Sequence, residues 1–393
     1  MDNVNDKLFK LYSKQWCSLC EALDNLSVDG MEDYEKNPLL LRIDDSQEYE
    51  KADLKIMMFG QDMSLGDWYK YNRHTTLENC MKNIKTFRNS IGSVDINTQK
   101  RQSRGFGGGV NKFIDILRKK MPGCEIQFVW NDLAKIGRNI KGNPNREKLE
   151  EIENNYFNVT IDEINCLNPD FIIFMTGPTK FWESRLKNKL NNPKTFDCYG
   201  YSYHDLCLLE IITNDIKTKS PSINLAFRTY HPCARGKKKT TYYQSIAEII
   251  KRKYIFENLL IDFQKIKGST PIICSVNDEK YEDQIVEDSS INYWSNEWLS
   301  IGYIQDNYYA CITYGLNNNI ELGIRRAPGT LKKEFNSTLK DYPDSSNIWW
   351  YCKKDIDKEP IEQNISTKEL ILKLTNGLSE LLDFMNNELS NTL

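Results

Sequence analysis

KIMMFGQDM, Lys55 to Met63, decides the fold. Ile56, Met57, Met58 and Phe59 run without a polar break into Gly60-Gln61-Asp62. A short continuous apolar run of this kind is the signature of a strand buried on both faces, as in a parallel sheet. Its end delivers a carboxylate, and in open α/β sheets ligands bind outside the carboxyl ends of the strands. Three later runs repeat the pattern: EIQFVWND ends at Asn131-Asp132, PDFIIFMTG at Thr176-Gly177, and INLAFRTYHP at His231-Pro232. Together they predict an α/β fold with a four-stranded, mainly parallel sheet covered by helices on both faces. Its mouth would gather Asp62, Asn131 and His231.

The segments between these runs read as helices and turns. Residues 6–27 place Leu8, Leu11, Trp16, Leu19 and Leu23 along one helical side. Residues 31–53 are acidic and irregular, and 63–104 are polar, mostly loop with short helices. RGFGGGVNKFIDILRKKM then opens a helix whose glycines, Gly107 to Gly109, let backbone approach a ligand closely. A glycine-rich helix start can hold an anion, but it lacks the Gly-Lys-Ser/Thr of a phosphate loop. After GNPNREKLEE one helix is expected to run to about Leu167, where Asn168-Pro169 breaks it. Further helices are predicted at 179–190 and from the basic loop after His231 to about Lys265. Residues 198–213 read as a β-excursion.

Composition bounds the function. Hydrophobic residues at 40% and charged residues at 27% exclude wholesale disorder. No apolar run reaches membrane-spanning length, and MDNVNDKLFK has no signal core, so the expectation is a cytoplasmic protein with no membrane partner. The 11 cysteines are scattered, as reduced thiols are. Charge is uneven: residues 268–393 hold 11 Lys/Arg against 20 Asp/Glu, whereas residues 1–267 hold 41 against 35. The first part is the one suited to meet an anion. Three regions follow: an N-terminal helical segment over 1–50, an α/β domain over 51–267, and an acidic α+β accessory domain over 268–393. Gly268-Ser269-Thr270-Pro271 reads as the linker to the last, which carries no recognisable site and is a candidate surface for a protein partner.

GQD after a hydrophobic strand, an Asn at the end of the next, and a late strand running into His-Pro together resemble the uracil-DNA glycosylase superfamily. GNPNREKLEEIENNYFNVTIDEINCLNPDFIIFMTG is similar to the helix-strand passage of its bacterial branches, and the resemblance covers about residues 50–255. It implies a monofunctional DNA glycosylase that flips a pyrimidine out of the helix and hydrolyses its glycosidic bond without metal, cofactor or lysine nucleophile. Asp62 would orient the attacking water and stabilise the sugar cation. His231 would hydrogen-bond the 2-oxo group of the departing base. Gln61 would face the base with its backbone, Phe106 would stack on it, and Asn131 would read its edge. The chemistry is coherent without the family, since a carboxylate near the sugar and a donor near the base oxygen stabilise opposite ends of the charge separation. A base in a duplex must also be flipped before it can be reached.

The chain departs from the family in informative places. Where the best-known branch reads GQDPYH, with a Tyr guarding the 5-position, this chain reads GQDMSL, so Met63 and Ser64 stand there. Without the guard ring the pocket is expected to admit a 5-substituent. Hydroxymethylated or glucosylated cytosine of phage DNA would then be a substrate and antiviral defence a role. Uracil excision in base-excision repair and non-catalytic recognition of a modified base are the alternatives, and a nucleotide or small-anion hydrolase using GFGGG is a third. Cys17 and Cys20 resemble the first cysteine pair of the iron–sulfur branches, but Ile136 and Asn154-Asn155 stand where the later cysteines would be, so no cluster is expected.

DNA contacts are expected on both lips of the mouth. Residues 228–253 hold eight Lys/Arg against Glu248 alone, with Arg235, Lys237, Lys238 and Lys239 just past His231 and Tyr242 and Tyr243 among them. Arg104 belongs to a second basic run, 100–120. Cations beside a base pocket suit phosphate contacts.

Overall fold

The computed structural model describes residues 3–27, 35–62, 75–82, 105–138, 146–198, 200–214, 221–236, 238–267, 272–276, 284–285, 298–305, 308–315, 320–326, 350–355 and 365–390. The chain divides into two compact units. The first comprises 1–115 and 125–243, the second 116–124 and 244–393.

The first unit is built on a mixed sheet. Its parallel part consists of β2 (Leu54–Asp62), β3 (Ile126–Ala134), β5 (Phe171–Phe174) and β8 (Pro221–Thr229), in the order β3-β2-β5-β8. These are the four apolar runs of the sequence. The sheet is nevertheless six-stranded and mixed, which corrects the four-stranded, mainly parallel expectation. β7 (Leu206–Asn214) pairs antiparallel with β8, and β6 (Lys194–Asp197) pairs antiparallel with β7. The physical reason lies in β7. Leu206, Cys207, Leu208 and Leu209 are all buried, so the segment behaves as an interior strand and covers the β8 edge that a four-stranded sheet would leave open. β6, exposed along its length, is the new edge. A separate short ladder joins β1 (Glu35–Pro38) to β4 (Ile136–Arg138).

Both faces of the parallel strands are buried, which explains their unbroken hydrophobicity. Met57, Phe59, Val129, Leu133, Ile172 and Phe174 share a core with α1 (Val4–Ser27), α4 (Arg146–Tyr156), α5 (Thr160–Leu167) and α6 (Lys180–Lys189). Phe59 and Phe174 stack there at 4.6 Å between ring centroids. The alternate residues, Ile56, Met58, Phe128, Trp130, Phe171, Ile173 and Phe227, are buried on the other face. The single helix expected to run to Leu167 is two, α4 and α5. Phe157 and Val159 are both fully buried, and the Val159 N–H donates to the Phe157 carbonyl. That bond runs to the residue two before rather than four before, so the helical ladder is interrupted at this point. The irregular 31–53 stretch also contains α2 (Ser46–Lys51), whose N-terminal amides are capped by Asp45.

The second unit holds an antiparallel sheet in the order β10-β9-β11-β12-β13-β14. The strands are β9 (Ile272–Val276), β10 (Gln284–Ile285), β11 (Trp298–Gln305), β12 (Tyr308–Gly315), β13 (Ile320–Arg326) and β14 (Trp350–Asp355). The C-terminal helix (Thr367–Ser390) packs on β11, β12 and β13, burying Leu370, Leu374, Leu378 and Leu381. Most of the helix Lys239–Lys267 and the end of the helix Gly105–Lys120 fall in this unit too. Residues 268–271, read as a linker, lie outside the described residues. No helix among the described residues is long and apolar enough to cross a membrane.

Candidate active site at the ends of the parallel strands

β2 lies between β3 and β5. The chain passes from β2 out to β3 and then back across β2 to β5. The carboxyl end of β2 is therefore a topological switch point, where neighbouring connections diverge and leave a crevice. Asp62 is the last residue of β2, half-buried, and pairs in register with Ala134. Gln61 precedes it, and its side-chain amide donates to the Thr176 carbonyl at 2.7 Å, tying the end of β2 to the residues that follow β5.

His231 follows β8 and comes within the field of Asp62. Burial pulls its titration down to about 4, against the Asp62 charge, which favours the cation, and with the Lys239 charge, which disfavours it. The imidazole is therefore neutral at physiological pH. Its Nδ1 accepts the Cys233 N–H at 3.2 Å, so in the neutral ring the proton sits on Nε2, which is left as a donor. Phe106 covers the imidazole, with ring centroids 5.5 Å apart and planes 28° apart. It also leans on Trp130 of β3, 6.0 Å away.

Two glycines allow this convergence. A Cβ at Gly60 would lie 2.2 Å from Oδ1 of Asp132 and 3.1 Å from the Phe106 ring. A Cβ at Gly109 would lie 2.2 Å from Cβ of Pro232. GFGGG is thus the first turn of α3 (Gly105–Lys120), and the close approach of Gly109 is to the His-Pro turn rather than to a ligand.

Asn131 is not brought to this place. It is fully buried on the opposite face of the sheet, where Nδ2 donates to Oε2 of Glu163 at 2.9 Å. Its Oδ1 accepts from the Lys135 ammonium and from the Asp132 N–H. Lys135 and Glu163, both fully buried, pair at 2.6 Å, and Glu163 accepts the Tyr12 hydroxyl at 2.7 Å. Asn131 thereby belongs to a buried polar network that clamps α1 and α5 to the sheet.

The next residue, Asp132, stands where Asn131 was expected. It is 2% exposed, opposite Gly60 in the β2–β3 register, and its Oδ2 has no hydrogen-bond partner among the described residues. Burial pushes its carboxyl well above the usual carboxylate range. The nearby Asp62 charge adds to this, while the Lys135 charge and a hydrogen bond from the Trp130 side chain to the carboxyl oppose it. Sequence reading missed Asp132 because two polar residues end this run. The signal that separates them is the glycine opposite one of them.

The basic loop is only partly an open surface. Arg235 and Lys238 are exposed. Lys239 instead folds back, its ammonium donating to the carbonyls of Pro232 and Ala234, so it holds the His231 loop in shape. Tyr242 and Tyr243 are buried, Tyr242 donating to Asp205 at 3.2 Å. Met63, Ser64, Arg104 and Lys237 lie outside the described residues. Cys17 is exposed and Cys20 half-buried, and no group of three His, Cys, Asp or Glu residues is placed to hold a metal among the described residues. No protein-family model, no curated protein and no solved structure matches the chain.

Proposed function

We propose that the chain is a monofunctional DNA glycosylase that flips out a pyrimidine and hydrolyses its glycosidic bond, leaving an abasic site. The observation that carries this reading is the placement of Asp62, at the switch point, within the field of a neutral His231 whose Nε2–H has no acceptor among the described residues. N-glycoside hydrolysis develops positive charge on the sugar and negative charge on the base. Asp62 answers the first and orients water. His231 answers the second through a hydrogen bond to the 2-oxo group, without adding a fixed charge. Phe106 offers the aromatic face on which a flipped base stacks.

Ser64, in place of a bulky guard, supports a substrate with a 5-substituent, including the hydroxymethylated or glucosylated cytosines of phage DNA. A role in antiviral defence follows from that substrate; uracil in ordinary repair is the alternative.

The test is incubation with oligonucleotides that each carry a different pyrimidine, followed by alkali. Strand cleavage by the wild type and its loss in Asp62→Asn and His231→Ala, with DNA binding retained, is the expected result. Removing such electrostatic stabilisation costs ~10²–10³ in rate. Gel shifts without alkali-labile sites would instead make the protein a non-catalytic base reader. Hydrolysis of free nucleotides with indifference to DNA would make it a small-anion hydrolase.

A further inference from the structure

Building on the glycosylase reading, we propose that Asp132 is the general acid that protonates N3 of a flipped 4-aminopyrimidine, a cytosine-type base, as its glycosidic bond breaks. Three observations converge on it. Asp132 lies on the same side of the sheet end as Phe106, and its Oδ1 and the Phe106 ring together close over Gly60. It is buried, and although the Trp130 side chain interacts with its carboxyl, Oδ2 itself has no hydrogen-bond partner among the described residues. Buried polar atoms in folded proteins are rarely left unpaired, and a ligand is one of the few reasons to leave one so. Asn131, the neighbour with the same reach, is committed to Glu163 and Lys135 on the other face.

The groups facing this carboxyl set its charge state. Burial and the Asp62 charge favour the neutral acid, Lys135 and Trp130 favour the anion, and His231, beyond Phe106, is neutral above about pH 4. A neutral carboxyl presents one acceptor and one donor side by side. The edge of cytosine presents the matching pair, the N4 amino group as donor and N3 as acceptor.

Base chemistry explains why such an acid is needed. Uracil leaves as an anion spread over two oxo groups. Cytosine has only one, so its N1 anion is a poorer leaving group. Transfer of the Asp132 proton to N3 lets the base leave neutral. The C1′–N1 bond breaks with its electron pair going to N1. Water adds to C1′ and gives its proton to Asp62. Afterwards Asp132 regains a proton from solvent and Asp62 loses one. His231 meanwhile donates to O2.

The experiment compares 5-hydroxymethylcytosine with 5-hydroxymethyluracil in matched duplexes, using the full chain and Asp132→Asn. The asparagine keeps the size and the donor–acceptor edge but has no proton to release. The wild type is expected to excise the cytosine member faster. In the variant that rate falls about a hundredfold or more, the range of general acid catalysis, and the uracil member falls by a smaller factor, so the preference disappears. The wild type alone supplies a second readout: its rate on the cytosine member falls as pH rises through the titration of the acid, while its rate on the uracil member does not. A wild-type preference for the uracil member, or an unchanged rate in Asp132→Asn, would each overturn the proposal while leaving the glycosylase reading intact. Excision of no pyrimidine at all overturns both.

Discussion

The ring of Phe106 lies against the imidazole of His231, 5.5 Å away between centroids and 28° from parallel. This contact helps make His231 a neutral donor, because covering the imidazole deprives its cation of water. Burial is the largest cause of its titration near 4.

Phe106→Ala should therefore raise the His231 titration from about 4 toward the ordinary value of about 6.5. Proton NMR of the imidazole reads this directly, and the chain has only 3 histidines to assign. The sign for stability follows. In the wild type the folded state binds the His231 proton more weakly than the unfolded chain does. This group's stabilising contribution is complete above about pH 6.5, declines as pH falls toward about 4, and is flat below that. In Phe106→Ala the window narrows, and stability should depend less on pH within it. An unmoved titration would show that other groups hold the imidazole neutral.

Gly109→Ala gives a test with an unusual sign. An alanine in place of a helical glycine ordinarily stabilises by ~1 kcal/mol. Here the new Cβ would lie 2.2 Å and 2.6 Å from Pro232 atoms, so the His-Pro turn or the helix must shift. The expected outcome is a loss of about 1–3 kcal/mol in chemical denaturation, with excision reduced because His231 adjoins the displaced proline. A stabilised variant would show that the helix and the turn are not packed this closely.

What was legible in the sequence depended on burial. The four parallel strands announced themselves because both faces are covered, so each reads as one apolar run. β7 was visible only as a β-excursion, and nothing local told that it would extend the sheet along β8. Asn131 and Asp132 show a sharper limit. Side chains alternate across a strand, so one residue decides which face a group joins, and two polar neighbours leave that open. Lys135 and Glu163 were illegible for another reason: charged side chains are seldom fully buried, and only the fold reveals that each has the other as partner. Lys239 was counted with its basic neighbours because a charge run says nothing about which member turns back onto backbone carbonyls.

That buried pair yields a stability prediction. Lys135→Met leaves Glu163 fully buried without its ion-pair partner, with Tyr12 and Asn131 as its hydrogen-bond partners among the described residues. Removing one member of a buried ion pair typically costs about 3–5 kcal/mol, readable from urea unfolding. Asn131→Ala should likewise act on stability, by ~1–3 kcal/mol for the polar groups it leaves unpaired. If Asn131→Ala instead abolished excision at unchanged stability, Asn131 would read the base after all and the role given to Asp132 would weaken.

The basic loop separates two kinds of lysine. Arg235 and Lys238 are exposed just past His231, where a phosphate backbone would run if the base enters over Phe106. Each phosphate contact contributes ~0.9 to the slope of log affinity against log salt, so replacing both with Ala should lower the magnitude of that slope by about two. Lys239 is different, because its ammonium caps the Pro232 and Ala234 carbonyls. Lys239→Met should leave the slope nearly unchanged. It should instead weaken excision, since the loop that presents His231 loses its clamp. The two effects are read in one set of experiments, salt-titrated binding beside single-turnover excision. A slope that falls by ~0.9 in Lys239→Met would mean that the ammonium leaves its carbonyls for a phosphate when DNA binds. An unchanged slope in the Arg235 and Lys238 double variant would mean that these cations face solvent in the complex, and the DNA path would then have to run over the opposite lip.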